Sequence, residues 1–219
     1  MMSTRTFWSR LFAVLGAGCL VAALLWMLFI YRKEKQAQTN LQAVLNAMDT
    51  EDIHFSSLID EDNLSFEAAM AYWPDPILPM PIKEIAGRAC IGTLSLPDLS
   101  LTLPIFQENT QDTLERGAVV YAGSLYKRNL VLCGHSYPAI FQRLDQLRYG
   151  SVLYLKDMAG NCFGYRLLET EIIPAEGVQT MLDGDWDVTL YTCTVFSVTR
   201  LTCRYELISF IPARLANNK

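Results

Sequence analysis

The residues best suited to covalent chemistry are a cysteine, a histidine and an arginine, each at or near the end of a predicted strand. The run Val188–Cys193 is β-branched and apolar, and residues 199–207 alternate well enough to form its partner strand, with Arg200 near its start. Upstream, another short apolar run is followed by His135, one of only two histidines. A thiol attacks as the thiolate, and a nearby imidazolium or guanidinium lowers its pKa from about 8.5. The sequence therefore predicts Cys193 as a nucleophile, His135 as its activator and Arg200 as a stabiliser of developing negative charge.

These residues lie in segments that resemble one family. Residues 189–193 read Thr-Leu-Tyr-Thr-Cys, which is similar to the T-L-x-T-C signature of the sortases, the cysteine transpeptidases of Gram-positive cell surfaces. Three further segments resemble the family pattern in the same order: 103–106 (LPIF), 114–118 (LERGA) and 134–136 (GHS). Because several motifs agree in order and spacing, the resemblance covers roughly residues 91–208.

The resemblance implies a closed eight-stranded β-barrel and a membrane-anchored cysteine transpeptidase. Such an enzyme cleaves a Leu-Pro-x-Thr-Gly-like sorting signal through a thioester on Cys193. It then transfers the acyl group to an amine of a cell-wall cross-bridge or a pilin lysine. In this scheme His135 is general acid and then base, and Arg200 binds the oxyanion or the substrate backbone. The alternative function is a catalytically inactive, membrane-tethered β-barrel that binds surface peptides.

Three secondary assignments stay open at the level of sequence. Arg204 is a rival for the role of Arg200, because it lies four residues further on and on the same strand face if the alternation persists. Thr192 is either a second oxyanion donor or a packing residue. Asp75, in the Asp-Pro step of a proline-rich segment, resembles the lid of the pilin-polymerising sortases, and the alternative is an ordinary linker.

Other thiol chemistries fit the order of the residues less well. Papain-like and cell-wall amidase families place the cysteine before the histidine, and L,D-transpeptidases have a histidine close to the cysteine in sequence. A thiol–disulfide oxidoreductase would require a Cys-x-x-Cys motif in a βαβ pattern, and the chain has neither. The five cysteines outside the apolar N-terminal run are an odd number, so at least one thiol is unpaired, and Cys193 is the candidate.

The N-terminal region predicts a single membrane anchor. Residues 11–31 are almost wholly apolar and carry no charge, and about 20 such residues match the hydrocarbon thickness of a bilayer. Basic residues flank the run on both sides in nearly equal number, so the positive-inside rule does not set the orientation. We place the C-terminal domain outside the cell because the resemblance to sortases implies it.

Composition limits the partners. The formal net charge is −5, and five of the 18 basic residues flank the apolar run, so the remainder of the chain is more acidic still. An acidic surface repels polyanions, which excludes nucleic acid as a partner. The predicted partners are therefore a sorting-signal peptide, an amine acceptor and the lipid bilayer, with neither a cofactor nor a metal.

The chain divides into five predicted regions. These are a tail at 1–10, the anchor at 11–31, a juxtamembrane helix with an acidic and proline-rich linker or lid at 32–87, an all-β catalytic domain at 88–212 and a tail at 213–219. His54, within the linker, is predicted to be structural or exposed. Helix is expected as single turns near 110–116 and 140–146. Eight strands are predicted at 90–96, 101–106, 118–122, 129–133, 152–155, 164–173, 188–193 and 199–208.

Overall fold

A computed structural model describes residues 4–48, 65–177, 181–182, 184–194 and 198–216. His54 lies outside the described residues. The chain begins with one long helix, α1, which spans Thr4–Ala47. Its apolar part is long enough to cross a membrane, and the side chains of residues 12–31 are exposed, with no protein packed around them. Length, composition and exposure together agree with the predicted anchor.

The second half of α1 packs against the rest of the protein. Ala37, Leu41 and Val44 are buried, and their spacing of four and three residues places them on one face of the helix. Leu41 joins the main hydrophobic core, while Val44 packs in a smaller cluster with Cys133 and Phe106. The helix α1 therefore continues beyond the apolar run, and its second half is attached to the β-domain.

The described residues of the β-domain form nine strands. They are β1 Lys83–Ile85, β2 Arg88–Leu96, β3 Leu101–Phe106, β4 Ala118–Ala122, β5 Leu130–Gly134, β6 Val152–Asp157, β7 Cys162–Pro174, β8 Val188–Cys193 and β9 Thr199–Ile211. The short helices are α2 Phe66–Met70, α3 Gln111–Leu114 and α4 Ala213–Ala216, and 3₁₀ turns span Pro97–Leu99 and Gln142–Gln146.

Eight of these strands form a ring. Their order is β2-β3-β4-β5-β8-β9-β7-β6, and pairing of β6 with β2 connects the two ends. The junction between β3 and β4 is short, with only Ile105 and Phe106 in register with Ala118 and Val119, so the ring approximates a closed barrel. Closure of this kind leaves few unpaired strand edges.

Large apolar side chains fill the inside of the ring. Because side chains alternate across a strand, one face of β8 carries Val188 and Leu190 into the main core while the other face carries Tyr191 outward. Cys193 lies on the outer face with Tyr191. Other interior side chains include Leu94, Leu103, Leu132, Phe163 and Tyr205, all of which are fully buried.

The sequence predicted the eight strands of the ring and both single turns of helix. It missed β1, which lies in the segment predicted to be linker and pairs with the start of β2 through Lys83↔Cys90 and Ile85↔Arg88. The signal for β1 is weak because only three residues contribute, and only Ile85 is buried. Most other differences are extensions of strand ends by one to three residues, which sequence patterns rarely define.

The proline-rich segment after α2 is anchored to one end of the barrel. The ring of Trp73 packs against Phe163 and Phe210, and its indole N–H donates to the carbonyl of Tyr126. Phe210 is near the end of β9, whereas Arg200 is near its start. These contacts attach the segment at the end of the barrel opposite to the predicted site.

The carboxylate of Asp75 has a local partner. It accepts a hydrogen bond from the backbone N–H of Ile77 at 2.9 Å, and the carbonyl of Asp75 accepts from Leu78. This arrangement closes a tight turn of the Asx type. The contacts agree with a linker and do not favour the lid interpretation of Asp75.

Candidate active site

Three neighbouring strands bring His135, Cys193 and Arg200 into one row. In the antiparallel pair of β8 and β9, Cys193 is directly opposite Arg200. In the parallel pair of β5 and β8, Gly134 is in register with Thr192, so His135, the next residue, follows at the level of Cys193. Since neighbouring strands lie about 5 Å apart, the backbone of Cys193 lies between the backbone positions of His135 and Arg200. We call His135, Cys193 and Arg200 the site row.

The surface beside the site row is built by the same three strands. Cys133, Tyr191 and Thr202 occupy the register position two residues away and therefore share the outer face with the site row. Cys133 is buried, and its sulfur accepts a hydrogen bond from the side-chain amide of Asn109 at 3.6 Å. Burial raises the pKa of the Cys133 thiol to about 11, which keeps it protonated. Cys193, by contrast, is partly exposed.

Thr194 and Thr199 pair at the ends of β8 and β9 and close the hairpin there. The backbone N–H of Thr194 donates to the carbonyl of Thr199 at 3.0 Å, and the two hydroxyl oxygens lie 2.6 Å apart. This pair fixes the ends of β8 and β9 immediately beside Cys193 and Arg200. The hydrogen bonds of Thr194 and Thr199 therefore hold Cys193 and Arg200 opposite each other. A direct contact between the side chains of Cys193 and Arg200 is not needed for this register.

Gly134 and Thr192 hold the end of β5 in place. The hydroxyl of Thr192 donates to the carbonyl of Gly134 at 2.9 Å, on the buried side of β8. A Cβ at Gly134 would lie 2.6 Å from the ring of Phe141 and 2.9 Å from Ile140, so glycine is required for this close approach. The hydroxyl of Thr192 is used in this bond and faces away from Cys193. The side chain of Thr192 therefore holds the end of β5 against β8.

The surroundings of His135 supply the orienting groups. Its Nε2 lies 3.2 Å from Nε2 of Gln111, and that amide nitrogen also donates to a carboxylate oxygen of Glu115 at 3.1 Å. The ring of Tyr137 packs against the imidazole with 4.9 Å between centroids. Partial burial lowers the pKa of His135, and the charge of Glu115 acts in the opposite direction.

The two arginines of β9 occupy different environments. Arg200 is partly exposed and faces Cys193 across the hairpin. Arg204 is only 2% exposed, and its guanidinium donates to the carbonyl of Met181 at 3.3 Å and to the hydroxyl of Thr189 at 3.1 Å. Glu171 lies 3.9 Å from it, and burial lowers the pKa of Arg204. The predicted alternation is therefore correct, and Arg204 is a buried part of the fold beneath the segment that precedes β8.

Comparison with known proteins decides the family. Residues 94–207, about half of the chain, match the family model described as the sortase domain. The chain belongs to the sortase family. Sortase A of Bacillus anthracis is 27% identical over 174 residues, which cover 74% of this chain and 75% of that protein. Sortase D of Bacillus subtilis (strain 168) is 31% identical over 120 residues, covering 52% of this chain and 59% of that protein.

The fold agrees with that of solved sortases. Sortase C of Streptococcus pneumoniae superimposes with a TM-score of 0.53 at 22% identity, covering 67% of this chain and 86% of that chain. Members of the family are cysteine transpeptidases that act on proteins carrying a sorting signal. This sortase is therefore a cysteine transpeptidase, and the ring of eight strands is the sortase fold.

The structure brings the three predicted site residues to adjacent strand positions, whereas sequence reasoning missed the groups around His135. It assigned no acidic residue to His135, whereas Glu115 lies within reach of it through Gln111. Glu115 belongs to the Leu-Glu-Arg-Gly-Ala segment that carried part of the family resemblance, which was the available signal. The sequence also left the pairing of the cysteines open, and all six are free thiols.

Proposed function

We propose that this sortase cleaves a Leu-Pro-x-Thr-Gly-like sorting signal at the Thr–Gly bond through a thioester on Cys193. The observation that supports the proposal is the site row, in which the partly exposed Cys193 occupies the strand position between His135 and Arg200. These are the groups that acyl transfer through a thioester requires: a nucleophile, a proton donor and a stabiliser of the oxyanion.

In the acylation half-reaction, the thiolate of Cys193 attacks the threonine carbonyl and forms a carbon–sulfur bond. Arg200 faces the oxygen that becomes negative in the tetrahedral intermediate. When the intermediate collapses, the carbon–nitrogen bond to glycine breaks, and His135 gives its proton to the departing amine. The products of this half-reaction are a thioester on Cys193, a free glycine amine and a neutral His135.

In the second half-reaction, an acceptor amine attacks the thioester. Neutral His135 takes a proton from the amine as the new amide bond forms, and the sulfur of Cys193 leaves as a thiolate, which restores the starting pair. The acceptor is a primary amine of a cell-wall cross-bridge or of a pilin lysine, as the family resemblance implies. Neither choice is favoured by the contacts of the described residues.

We further propose that α1 anchors the enzyme in the cell membrane through residues 11–31, with the barrel on the outer side. The exposed apolar surface of this part of α1 supports the anchor, and the packing of Ala37, Leu41 and Val44 supports a fixed position of the barrel relative to it. The outer side is where sorting-signal proteins and cell-wall amines are available.

Mass spectrometry of the intact enzyme tests the proposed function. The full chain in lipid nanodiscs would be incubated with a synthetic peptide that contains Leu-Pro-x-Thr-Gly, with x varied and without an acceptor amine. We expect an adduct with the mass of the peptide's N-terminal fragment and, after digestion, its location on Cys193. Cys19→Ala removes a thiol in the anchor and serves as the control that retains the adduct. Absence of an adduct with every peptide would instead favour the peptide-binding barrel.

The pH dependence of kcat/KM is expected to be bell-shaped. Activity requires a thiolate and an imidazolium together, so it falls when His135 loses its proton and when the thiol gains one. Because burial lowers the pKa of His135, deprotonation of the imidazole begins at lower pH than for an exposed histidine. Steady-state rates across roughly pH 5 to 10 check this, and a flat profile over about pH 6 to 9 would contradict the pairing.

A further inference from the structure

A chain of polar contacts connects His135 to the helix that enters the membrane. Lys33 of α1 lies two residues beyond the end of the apolar run, and its ammonium group is 3.8 Å from a carboxylate oxygen of Glu115. Glu115 accepts a hydrogen bond from the amide of Gln111, and that amide nitrogen lies 3.2 Å from Nε2 of His135. Glu115 is 29% exposed, so this carboxylate is partly shielded from water.

The contact between Glu115 and Gln111 fixes which way the amide points. A carboxylate attracts the N–H groups of an amide and repels its carbonyl oxygen, so the amino group of Gln111 must face Glu115. An amide NH₂ group has two hydrogens, and the second is available to His135. The amide of Gln111 can therefore donate a hydrogen bond to Nε2 of His135.

A donor beside Nε2 sets the protonation state of the ring. Nε2 can accept this hydrogen bond only when it carries no proton, so the bond favours the neutral tautomer that is protonated at Nδ1. It also opposes the imidazolium form, in which both ring nitrogens are donors. Partial burial of the ring acts in the same direction.

The part of α1 that follows the apolar run also lies beside Tyr137, which contacts the imidazole. Tyr137, whose tilted ring has its centroid 4.9 Å from that of the imidazole, lines a small cavity together with Lys33, Ala37 and Glu115. Both Glu115, which follows α3, and Tyr137, in the loop of His135, therefore lie beside residues of α1.

We propose that Gln111 and Glu115 are positioning residues for His135, and that Lys33 of the anchor helix holds Glu115 in place. The anchor helix is then part of the catalytic apparatus as well as a tether. This inference deepens the proposed function, because it assumes that His135 is the acid and base of the reaction. Its test reads the imidazole directly and does not depend on turnover.

The test is nuclear magnetic resonance of the imidazole nitrogens. The full chain, labelled with ¹⁵N-histidine and placed in lipid nanodiscs, contains only two histidines, so the variant His54→Gln identifies the signals of His135. In the wild type at high pH we expect an unprotonated Nε2 and a protonated Nδ1. A wild-type ring protonated at Nε2 would overturn the proposal.

Two substitutions of Gln111 have distinguishable effects. Gln111→Leu removes the donor, so the population protonated at Nε2 grows and the pKa of His135 rises by about half a unit. Gln111→Glu replaces the donor with an acceptor of negative charge, so the tautomer inverts and the pKa rises by about one unit or more. Gln146→Leu, at an exposed position of the turn Gln142–Gln146, is the matched control and leaves both quantities unchanged. Wild-type values in both Gln111 variants would overturn the proposal.

A separate pair of variants tests the role of Lys33 in the anchor helix. Lys33→Met removes the positive partner of Glu115, so the uncompensated carboxylate raises the pKa of His135 by about a few tenths of a unit. Lys35→Met removes the same charge from an exposed position on the same helix and leaves the pKa unchanged. Equal values in the two variants would overturn the role of Lys33 and leave the role of Gln111 to the Gln111 variants.

The other groups that face His135 stay constant in these comparisons. These groups are Glu115 beside α3 and Tyr137 in the loop of His135, while Cys193 of β8 and Arg200 of β9 occupy the neighbouring positions of the site row. If the positioning variants behave as expected while no thioester forms on Cys193, the arrangement stands and the proposed reaction fails. If the thioester forms while the variants match the wild type, the reaction stands and the positioning role fails.

Discussion

Cys193→Ala is expected to lower kcat for transpeptidation by a factor of about 10⁴ or more. The loss is this large because the thioester cannot form, and no neighbouring thiol can replace it. Cys133 is the nearest candidate on the same face, but burial raises its pKa to about 11, so at pH 7 only about one molecule in 10⁴ carries the thiolate there. The measurement is transfer of a labelled sorting-signal peptide to an amine by the full chain in nanodiscs.

His135→Ala is the companion to this variant, with an expected loss of about 10² to 10⁴ in kcat. Because thiol and imidazole act as one unit, the double variant Cys193→Ala with His135→Ala is expected to be no slower than Cys193→Ala alone. Cys133→Ala is the matched control: it removes a thiol from the same face and leaves kcat within about threefold of the wild type, since a buried protonated thiol takes no part in the reaction. Retention of turnover in Cys193→Ala would remove the thioester from the mechanism.

The ring of eight strands was predictable because each of its strands carries a local signal. Runs such as Val188–Cys193 are β-branched and bounded by turn residues, and the family resemblance supplied the closure that such runs do not specify. The strand β1 was not predictable, because its three residues gain their stability from pairing with β2 rather than from their own pattern. The position of α1 on the barrel was not predictable either, since Leu41 and Val44 identify a buried face but not its partner.

The site row was predictable for a related reason. Cys193 and Arg200 lie on either side of one hairpin loop, so local pairing brings them together, and His135 follows a strand that pairs in parallel with β8. The groups around His135 come from contacts that are distant in sequence. Gln111 reaches the imidazole from α3, and Lys33 reaches Glu115 from the membrane-proximal helix. Only tertiary structure joins these segments, and no periodicity in the sequence encodes the contacts.

Arg200→Ala and Arg204→Ala are expected to separate catalysis from stability. Arg200 is partly exposed and opposite Cys193, so its loss removes the guanidinium that faces the developing oxyanion and lowers kcat/KM by about 10² to 10³. Its replacement has little effect on the free energy of unfolding, because a partly exposed strand residue contributes little packing. Arg200→Lys keeps the charge but not the planar fork of donors, so it recovers only part of the activity.

Arg204→Ala is expected to lower stability and to leave activity largely intact, the opposite of Arg200→Ala. Its guanidinium is buried and bonds to the carbonyl of Met181 and the hydroxyl of Thr189, so Arg204→Ala leaves both groups without this donor and opens a gap beneath the segment before β8. The expected cost is about 1–3 kcal/mol in the free energy of unfolding, with kcat/KM of the folded enzyme changed by less than about tenfold. Denaturant unfolding and steady-state kinetics on both variants measure the two quantities. If Arg204→Ala lost activity while Arg200→Ala lost stability, the arginine of the site row would be misassigned. The register of Cys193 with Arg200 across the hairpin is the physical reason to expect the opposite.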